Sequence, residues 1–426
     1  MARFIVEGGH PLHGDITPAG NKNAALPLIA ASLLTDDPVT LRNLPRIRDV
    51  RGMLDIVGEL GATVEELGPH DVRISAQDAS GDTIGAAAAG EIRASLLFAG
   101  PLLARRGRVQ LGPPGGDVIG RRRNDTHFHA LTALGGELEI LSQGYRLRAR
   151  ALVGADILLD EPSVTATENA LLCAVLAPGR TVIRNAASEP HVQELSLVLL
   201  AMGARITGIG TNTLEVIGVE TLRGVDHRVS SDHVEIGSFV GAVAMTHGEV
   251  TIHDAVPQHL PMTRLVFKRL GVETEVRGDD LVVPSKERYC IEADLGGAIP
   301  KVSDQIWPGF PADLTSIATA MATQAEGTVV IHEWMFGGRM YWTDSLVSMG
   351  ARLVLCDPHR VVVVGPSQLY GTELRSPDIR AGMALLAATL CAKGTSIINN
   401  IDQIDRGYEA LDTRLNALGA RIERES

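Results

Sequence analysis

The stretch Met53-Leu-Asp-Ile-Val-Gly-Glu-Leu60-Gly61-Ala-Thr-Val64 contains a phrase that returns six times along the chain. A leucine or methionine is followed by glycine, then by a residue or two and an apolar position. The phrase comes after an apolar helical pattern, where a glycine can take the left-handed conformation that ends a helix. Successive copies are 74, 68, 68, 79 and 69 residues apart. Their glycines are Gly61, Gly135, Gly203, Gly271, Gly350 and Gly419.

A second phrase keeps the same interval and consists of a glycine turn followed by an apolar strand pattern. Two phrases in step predict a repeated supersecondary unit, and an interval of about 70 residues is too long for the common solenoid repeats. We therefore predict six similar α/β units in two compact groups of three, with helices packed against sheets. The polar stretch 221–232 is the predicted linker between the groups. The second phrase begins at Gly107, Gly179, Gly248, Gly327 and Gly394.

Composition indicates a globular chain with an excess of acidic residues. Of 426 residues, 45% are apolar, and 51 Asp and Glu against 39 Lys and Arg give a net charge of −12. This balance argues against a nucleic-acid partner or an anionic membrane surface. The four cysteines lie far apart without CxxC spacing, so we expect neither a zinc site nor a disulfide framework, and a cytoplasmic location. We also expect no targeting or membrane-spanning segment.

Near the start, a glycine turn leads into a helical pattern whose first turn contains Lys22 and Asn23. Such a segment suits an anion, because the free N–H groups and the dipole of a helix amino terminus add to the charge of the lysine. A solvated surface lysine is the alternative explanation.

The segment from Leu111 to Asp125 places Asp117 amid glycine and proline and follows it with three arginines. This composition is typical of a loop beside a strongly anionic ligand. Asp117 is the candidate general acid, provided that desolvation favours its protonated form. A solvated turn aspartate is the alternative.

Further candidates stand where helical patterns begin. Asp313 follows a proline turn, and the segment 161–169 offers hydroxyls and free N–H groups to a phosphate. Helix capping explains both segments as well. Arginines stand at similar places, and a guanidinium fork binds two oxygens of an anion, although each arginine alone fits a structural ion pair. These arginines are Arg93, Arg339, Arg380 and Arg406.

Taken together, the motifs resemble the enolpyruvyl transferases from Phe4 to Arg424. Each motif alone is weak, but their order along the chain is specific. The sequence has no P-loop, GxGxxG, HExxH or GxSxG motif that would indicate another class. The matching motifs are Lys22-Asn23-Ala-Ala-Leu-Pro27, Arg93-Ala-Ser95, Gly115-Gly116-Asp117 with Ile119-Gly120, Ser163-Val164 with Ala166-Thr167, Asn185-Ala-Ala187 with Glu189-Pro190, Phe310-Pro311 with Asp313, and Asp405-Arg-Gly-Tyr-Glu409.

The resemblance implies an α/β fold of two pseudo-threefold domains, each an inside-out barrel whose helices are enclosed by sheets. One domain would span residues 21–230, and the other would combine residues 1–20 with 231–426. A double crossover would join them, with the active site in the cleft between. The first strand of the chain would complete the second domain.

The implied reaction transfers the enolpyruvyl group of phosphoenolpyruvate to the 3-hydroxyl of UDP-N-acetylglucosamine and releases phosphate. This is the first committed step of peptidoglycan synthesis. Both substrates are anionic, which fits separate arginines on an acidic chain. Neither a metal nor an organic cofactor is implied, and the oligomeric state is left open.

Roles at the reacting end also follow from the resemblance. Asp117 would be the general acid of its loop, and Asp313 the base for the sugar hydroxyl, with Asp378 a second candidate for proton handling. Together with Lys22 and Arg406 they form the implied catalytic set. Phosphoenolpyruvate would contact Lys22, Asn23, Arg122 and Arg406, supported by Arg339 and Arg380, while Arg93 would order the closed complex.

The UDP-sugar would lie against two segments and two isolated positions. Its implied contacts are Arg122, Arg123, Asn124, Asp125, Thr126, Ser163, Val164, Thr165, Asp313 and the backbone of Met335.

Three acceptor-side positions depart from the usual pattern of the family. Arg123-Asn124 replaces a Pro-Val pair, Thr165 replaces a glycine, and Gly337-Gly338 replaces a pair made of an acidic residue and an amide residue. These changes leave open an enolpyruvyl transferase for another nucleotide or sugar, or a non-catalytic paralogue that binds UDP-sugar. The shikimate-phosphate branch is disfavoured, because Asn-Ala-Ala rather than a serine-rich run follows Lys22.

Asp117 stands where most members of the family carry a cysteine, and this change predicts a drug response. A carboxylic acid can donate a proton, but it lacks the thiolate that fosfomycin alkylates. We expect the enzyme to keep full activity after incubation with fosfomycin, measured by turnover and intact mass. Time-dependent inactivation with a mass adduct on this loop would contradict the prediction.

Overall fold

The computed structural model describes residues 2–116 and 123–425. These residues form two compact units. The amino-terminal unit comprises residues 20–116 and 123–230, and the carboxy-terminal unit comprises residues 2–19 and 231–425. The assignment of each unit as a functional transferase domain stays a prediction.

Within the described residues, strands β1 to β24 form six four-stranded sheets, three in each unit. The first twelve strands are β1 (Arg3–Glu7), β2 (His13–Ile16), β3 (Val39–Arg42), β4 (Thr63–Gly68), β5 (Asp71–Ser75), β6 (Thr83–Ile84), β7 (Arg108–Leu111), β8 (Glu137–Leu141), β9 (Gly144–Arg148), β10 (Asp156–Leu158), β11 (Arg180–Arg184) and β12 (Arg205–Thr207). The others are β13 (Thr213–Ile217), β14 (Asp226–Arg228), β15 (Glu249–Ile252), β16 (Glu275–Arg277), β17 (Asp280–Val283), β18 (Lys301–Ser303), β19 (Gly327–His332), β20 (Leu353–Asp357), β21 (Arg360–Gly365), β22 (Glu373–Arg375), β23 (Thr395–Asn399) and β24 (Arg421–Glu425).

The helices of the described residues fall into a buried and a peripheral set. In chain order the α-helices are α1 (Lys22–Ala31), α2 (Arg48–Glu59), α3 (Ala86–Glu91), α4 (Ala99–Arg106), α5 (Asp125–Ala133), α6 (Val164–Ala174), α7 (Pro190–Ala201), α8 (His233–Met245), α9 (Pro261–Arg269), α10 (Thr315–Ala322), α11 (Thr343–Ser348), α12 (Ile379–Cys391) and α13 (Leu411–Ala417). Short 3-10 turns cover Ser32–Leu34, Arg93–Phe98, Pro257–His259, Leu295–Gly297, Ala312–Leu314 and Ile401–Arg406.

All six sheets share one topology, which confirms the predicted six-unit repeat. Each sheet has one edge strand parallel to its neighbour, and its other pairings are antiparallel. Starting from the parallel edge, the orders are β14-β3-β5-β4, β6-β7-β9-β8, β10-β11-β13-β12, β2-β15-β17-β16, β18-β19-β21-β20 and β22-β23-β1-β24.

Two parallel edge strands pair away from the helix that follows them in the chain. Strand β2 precedes α1 but pairs with β15, from His13 with Glu249 to Ile16 with Ile252. Strand β14 precedes α8 but pairs with β3. The boundary between the two units follows Ser230 and so lies within the predicted linker 221–232, but this stretch also contains strand β14. At the chain start, β1 lies between β23 and β24 and completes their sheet.

Burial of α1, α4, α6, α8, α10 and α12 makes the architecture inside-out. All thirteen residues of α8 and all eight of α10 are buried, and in α12 only Cys391 is not. A helix that is apolar all round is stable only when it is enclosed. Strands such as β8 meanwhile expose most of their residues. Helices thus form the interior of each unit and sheets form its outside.

The repeated glycine phrase ends the peripheral helices as predicted. All six glycines have φ between 89° and 109°. At the end of α2, the N–H of Gly61 donates to the carbonyl of Gly58 at 2.9 Å and that of Ala62 to Val57 at 3.2 Å. This closing pattern satisfies carbonyls that the last turn leaves without partners.

None of the helices in residues 2–116 and 123–425 combines the length and hydropathy that a bilayer crossing requires.

Gly203 tests the conformational requirement of the repeat, because its φ is 105° and a Cβ there would come no closer than 3.7 Å to another group. We expect Gly203→Ala to lower the free energy of unfolding by about 2 kcal/mol through backbone strain alone. Gly58→Ala is the matched control, since Gly58 lies inside α2 with open space around it. This control should raise stability by about 0.5–1 kcal/mol. Denaturant unfolding measures both, and shifts in the same direction would contradict the account.

Candidate active site

The candidate residues gather at the amino-terminal ends of the buried helices. Lys22 is the first residue of α1, and Ser163 caps α6. Arg93 opens the 3-10 turn that leads into α4, Asp313 lies in the turn before α10, and Asp378 caps α12. Helix amino termini carry free N–H groups and partial positive charge, so these ends favour anionic ligands.

Lys22 is a buried ion-pair partner, so the surface-lysine alternative was wrong. Its Nζ lies 2.7 Å from Oδ2 of Asp49, and the two side chains are 10% and 5% exposed. The side chain of Asn21 caps the helix by accepting the N–H of Asn23 at 2.9 Å. Sequence reasoning missed Asp49, since an acidic residue in the first turn of an amphipathic helix looks like an ordinary partner of the helix dipole.

Arg93 and Arg123 join two acceptor-side segments of the amino-terminal unit. Nη2 of Arg93 donates to the carbonyl of Arg123 at 2.6 Å. The guanidinium of Arg123 binds Asp125, and its Nη2 also lies 2.5 Å from Oδ2 of Asp160. Hydrogen bonds to these two carboxylates raise the pKa of Arg123 above its usual range. Its charge is thus balanced within the protein.

Two neighbours of Arg123 take part in the same region. Thr126 donates from Oγ1 to Oδ1 of Asp160 at 2.9 Å, and Nδ2 of Asn124 lies 3.4 Å from the hydroxyl of Tyr145. Asp117 and Arg122, predicted to act beside them, lie outside the described residues.

The start of α6 agrees with helix capping. Oγ of Ser163 accepts the N–H of Ala166 at 3.3 Å, and Val164 is the first helical residue. Capping and ligand binding are compatible at such an end, because one side-chain oxygen leaves other N–H groups of the first turn available.

Thr165, which departs from the family pattern, contacts a histidine that sequence reasoning missed. Its Oγ1 lies 3.0 Å from Nε2 of His127, and Nδ1 of that ring lies 3.1 Å from Nδ2 of Asn169. Because the amide nitrogen donates, this network assigns the ring proton to Nε2. Asn169 also donates to the carbonyl of Leu96 at 2.8 Å. The contact partners come from separate helices, so no local motif signalled them.

Asp313 lies between two arginines in the carboxy-terminal unit. Its Oδ1 accepts from Nη2 of Arg339 at 2.7 Å, and its Oδ2 accepts from Nε of Arg380 at 3.1 Å and forms an ion pair with Nη2 of Arg380 at 3.0 Å. The arginine side chains are 10% and 7% exposed, whereas that of Asp313 is 28% exposed. Among the described residues, no side-chain capping hydrogen bond is present at the start of the 3-10 turn that contains Asp313 or at the start of α10. The capping explanation for Asp313 was therefore wrong.

The guanidinium groups of both arginines pack against aromatic rings. The guanidinium carbon of Arg339 lies 4.6 Å from the ring centre of Phe336, and that of Arg380 lies 5.5 Å from the ring centre of Tyr408. Oδ1 of Asp378 accepts the N–H of Arg380 at 2.8 Å, so this aspartate caps α12. Its predicted part in proton handling stays a prediction.

Glu333 is a buried acid of the same unit that sequence reasoning missed. It is fully buried, and burial raises its pKa to about 9, against the opposing effect of Arg339. A small cavity of about 10 Å³ adjoins it. The cavity is lined by Thr315, Ser316, Glu333, Arg339, Met340, Trp342, Asp378, Arg380 and Ala381.

The start of α8 was also missed, because it lies directly after the predicted linker 221–232, which contains its capping residue. His233 follows the capping Asp232 and is 3% exposed. Its ring meets those of Trp307 and His259 edge-on, with centres 6.2 Å apart in each case. Burial lowers the pKa of His233 to about 4, so the imidazole is neutral near pH 7.

Arg406 and Met335 complete the predicted set. Arg406 ends a 3-10 turn, is 9% exposed and donates from Nη1 to Oε1 of Gln403 at 3.3 Å. The N–H of Met335 donates to Oδ2 of Asp304 at 3.2 Å. Asp304 is fully buried and also accepts the N–H of Trp334 at 2.8 Å, so it fixes this stretch of backbone.

The fold of the chain matches that of enolpyruvyl transferases. It aligns with the enolpyruvyl transferase NikO from Streptomyces tendae at a TM-score of 0.89 and 23% identity, covering 99% of this chain and 98% of that one. It aligns with the EPSP synthase from Acinetobacter baumannii at a TM-score of 0.75 and 17% identity, covering 100% of both chains. These likenesses confirm the predicted inside-out α/β fold.

Sequence comparisons then give the family. The model of EPSP synthase (3-phosphoshikimate 1-carboxyvinyltransferase) matches residues 6–415. The UDP-N-acetylglucosamine 1-carboxyvinyltransferase of Bradyrhizobium diazoefficiens is 54% identical over 99% of this chain and 98% of its own. That of Treponema denticola is 52% identical over 99% of both chains, and that of Bacteroides thetaiotaomicron 46% over 100% of both. The chain therefore belongs to the EPSP synthase family, and within it to the UDP-N-acetylglucosamine 1-carboxyvinyltransferases.

The pair of Lys22 and Asp49 gives a direct test of the buried charge. We expect Asp49→Asn to lower the free energy of unfolding by about 3 kcal/mol, because it leaves a buried ammonium without its carboxylate. Asp55→Asn on the same helix is the control, since Asp55 is exposed and its ion pair with Arg51 is long, at 4.0 Å. Its effect should be within about 0.5 kcal/mol. Equal stability of the two variants in thermal unfolding would contradict the assignment.

Proposed function

We infer that the protein transfers the enolpyruvyl group of phosphoenolpyruvate to the 3-hydroxyl of UDP-N-acetylglucosamine and releases phosphate. The observation that carries the inference is Asp313, a part-exposed carboxylate held by two buried arginines in a chain of this family. The reaction is the first committed step of peptidoglycan synthesis.

The chemistry needs one proton to be added, at C3, and two to be removed, first from the sugar hydroxyl and then from C3. Protonation at C3 of phosphoenolpyruvate makes C2 electrophilic, and the sugar oxygen adds there as its hydroxyl proton leaves. The tetrahedral adduct then collapses, with loss of a proton from C3 and departure of phosphate. Negative charge shifts in both steps, so preorganised cations stabilise the transition states.

Asp313 is the proposed base for the sugar hydroxyl. Two guanidinium hydrogen bonds, one to each oxygen, and a further ion-pair contact from Arg380 fix the carboxylate, which sets the direction of the remaining lone pairs. Its partial exposure leaves room for a substrate hydroxyl to approach. The aromatic contacts of Arg339 and Arg380 restrict the motion of the arginines that hold it.

Asp117 is the proposed acid that protonates C3. The sequence supports this role, because a carboxylic acid can replace the usual thiol as a proton donor. Asp378 is the second candidate for moving a proton, since its carboxylate stands at the start of α12 beside Arg380.

The remaining predicted contacts form two proposed sets. Buried cations at helix starts support an anion site, because desolvation and the helix dipole strengthen their attraction for phosphate and carboxylate. For phosphoenolpyruvate the proposed set is Lys22, Asn23, Arg122 and Arg406, supported by Arg339 and Arg380, while Arg93 is proposed to order the closed nucleotide-sugar complex. For the UDP-sugar the proposed set is Arg122, Arg123, Asn124, Asp125, Thr126, Ser163, Val164, Thr165, Asp313 and Met335.

A different acceptor is the second candidate, and the structure around Thr165 favours keeping it. Thr165, whose hydroxyl contacts His127, occupies a position where the usual family pattern has glycine and therefore no side chain. Arg123 is balanced by Asp125 and Asp160 and differs from the usual proline. Either change alters what the acceptor meets. A non-catalytic UDP-sugar sensor is less well supported, because Lys22, Asp313, Arg380 and Arg406 are all retained.

We place the reaction in the cytoplasm. The four cysteines are unpaired, as is usual for proteins of a reducing compartment.

Phosphate release on mixing the protein with phosphoenolpyruvate and UDP-N-acetylglucosamine tests this function. We expect release only with both substrates and a fall of roughly 100-fold or more in Asp117→Asn, because the amide cannot supply a proton. Asp279→Asn, at an exposed turn position, is the control and should leave the rate unchanged. No release with this acceptor, but release with another sugar nucleotide, would favour the second candidate. Binding of UDP-sugar without turnover would favour the sensor.

A further inference from the structure

In three repeats, the residue directly after the strand next to the parallel edge strand makes the same hydrogen bond. Asn43, Asn185 and Asn400 follow β3, β11 and β23 and have φ of 58°, 57° and 62°. Each donates from Nδ2 to the carbonyl just beyond the parallel edge strand of its sheet. The acceptors are Val229 at 2.9 Å, Leu159 at 2.9 Å and Ser376 at 2.8 Å.

In the repeat that contains β19, this position is occupied by Glu333, which performs another task. There Asp304, the residue just beyond the edge strand β18, is joined to the backbone after β19: its carboxylate accepts the N–H groups of Trp334 and Met335, and its carbonyl accepts from Nε1 of Trp334 at 2.6 Å. The side chain of Glu333 is therefore not needed to fasten the edge strand. It lies near Asp304 and Thr315, but neither carboxylate oxygen has a partner at hydrogen-bonding geometry among the described residues.

Buried polar atoms without hydrogen-bond partners line the small cavity beside Glu333. Nε and Nη1 of Arg339, Nη1 of Arg380 and Oγ1 of Thr315 are buried without hydrogen-bond partners in the described part of the chain. Both oxygens of Glu333 are in the same condition. Buried polar groups left in this state cost free energy, so donors and acceptors that line one cavity are expected to satisfy one another.

We propose that Glu333 is a positioning residue for the reaction inferred above: across the cavity it orients the guanidinium of Arg339, whose Nε and Nη1 lack hydrogen-bond partners among the described residues, so that Nη2 stays on Asp313. The proposal rests on the proposed function only where it concerns turnover. Arg339 is the link between the two acids, because its Nη2 donates to Oδ1 of Asp313 at 2.7 Å.

A neutral acid suits this task better than a carboxylate. Full burial raises the pKa of Glu333 to about 9, so its protonated form prevails near pH 7. A neutral partner can orient Arg339 without cancelling the charge that an anionic substrate needs. The charged or titratable groups around it are Asp304 after β18, Arg339 after β19, His359 before β21, and Asp313, Asp378 and Arg380 at the starts of α10 and α12.

Turnover of three variants tests the positioning role. We expect Glu333→Ala to lower kcat roughly 10- to 100-fold, because Arg339 loses its orientation, and to raise the KM of phosphoenolpyruvate more than that of the UDP-sugar. Glu333→Gln, a neutral side chain of the same shape, should rescue kcat to within about threefold of the wild type at pH 7. Glu326→Gln, at an exposed ion pair with Arg288, is the control for glutamate removal. A Gln variant as impaired as the Ala variant would overturn the proposal.

Thermal unfolding against pH tests the neutral state without any need for turnover. In the wild type, the raised pKa of Glu333 gives stability that is present below pH 4.5 and is lost as pH rises toward about 9. Glu333→Gln has no such dependence. We therefore expect the Tm of the Gln variant, relative to the wild type, to rise between about pH 5 and about pH 8. A constant difference would overturn the neutral state of Glu333. Failure of the wild type to turn over would instead count against the proposed function, and the Tm result would still stand.

Discussion

Enclosure of helices that have no polar face is the constraint on which the structure depends. Helix α8 is buried over its whole length, and such a helix is stable only when neighbours cover every side. A single repeat has one sheet and cannot do this, so three repeats must close around their shared helices. The helix walls are then unavailable to ligands, and only the helix ends remain. This explains why Lys22, Asp313 and Asp378 all occupy the starts of buried helices.

Pairing of buried charges follows from the same enclosure. An ammonium or guanidinium removed from water is costly unless a carboxylate and hydrogen bonds replace the lost hydration. Lys22 has Asp49, and Arg339 and Arg380 share Asp313. A chain with a net charge of −12 thereby keeps buried cations at the starts of its interior helices. Because these groups are oriented before a substrate arrives, little reorganisation is required during the reaction.

Local signals predicted the repeat and the ends of the peripheral helices, and they singled out Lys22, Asp313 and Asp378, which the structure places at the starts of buried helices. The glycine phrase could be recognised in the sequence because a position with left-handed φ is nearly always occupied by glycine, as at Gly203. Local sequence patterns did not indicate that β2 pairs with β15 and β14 with β3, since strand pairing depends on contacts far apart in sequence. The partners Asp49 and His127 were missed for the same reason. The task of Glu333 emerges only when it is compared with the asparagines at the equivalent place in other repeats.

Deuterium incorporation tests the central claim most directly, namely that enolpyruvyl transfer here proceeds by protonation at C3 and addition of the sugar oxygen at C2. The reaction of phosphoenolpyruvate with UDP-N-acetylglucosamine would be run in D₂O and the nucleotide-sugar product analysed by mass spectrometry and NMR. The account predicts an enolpyruvyl ether at the 3-oxygen with deuterium in its methylene group, because C3 is protonated from solvent and then loses a proton. A product without deuterium, or transfer of phosphate instead of the enolpyruvyl group, would contradict it.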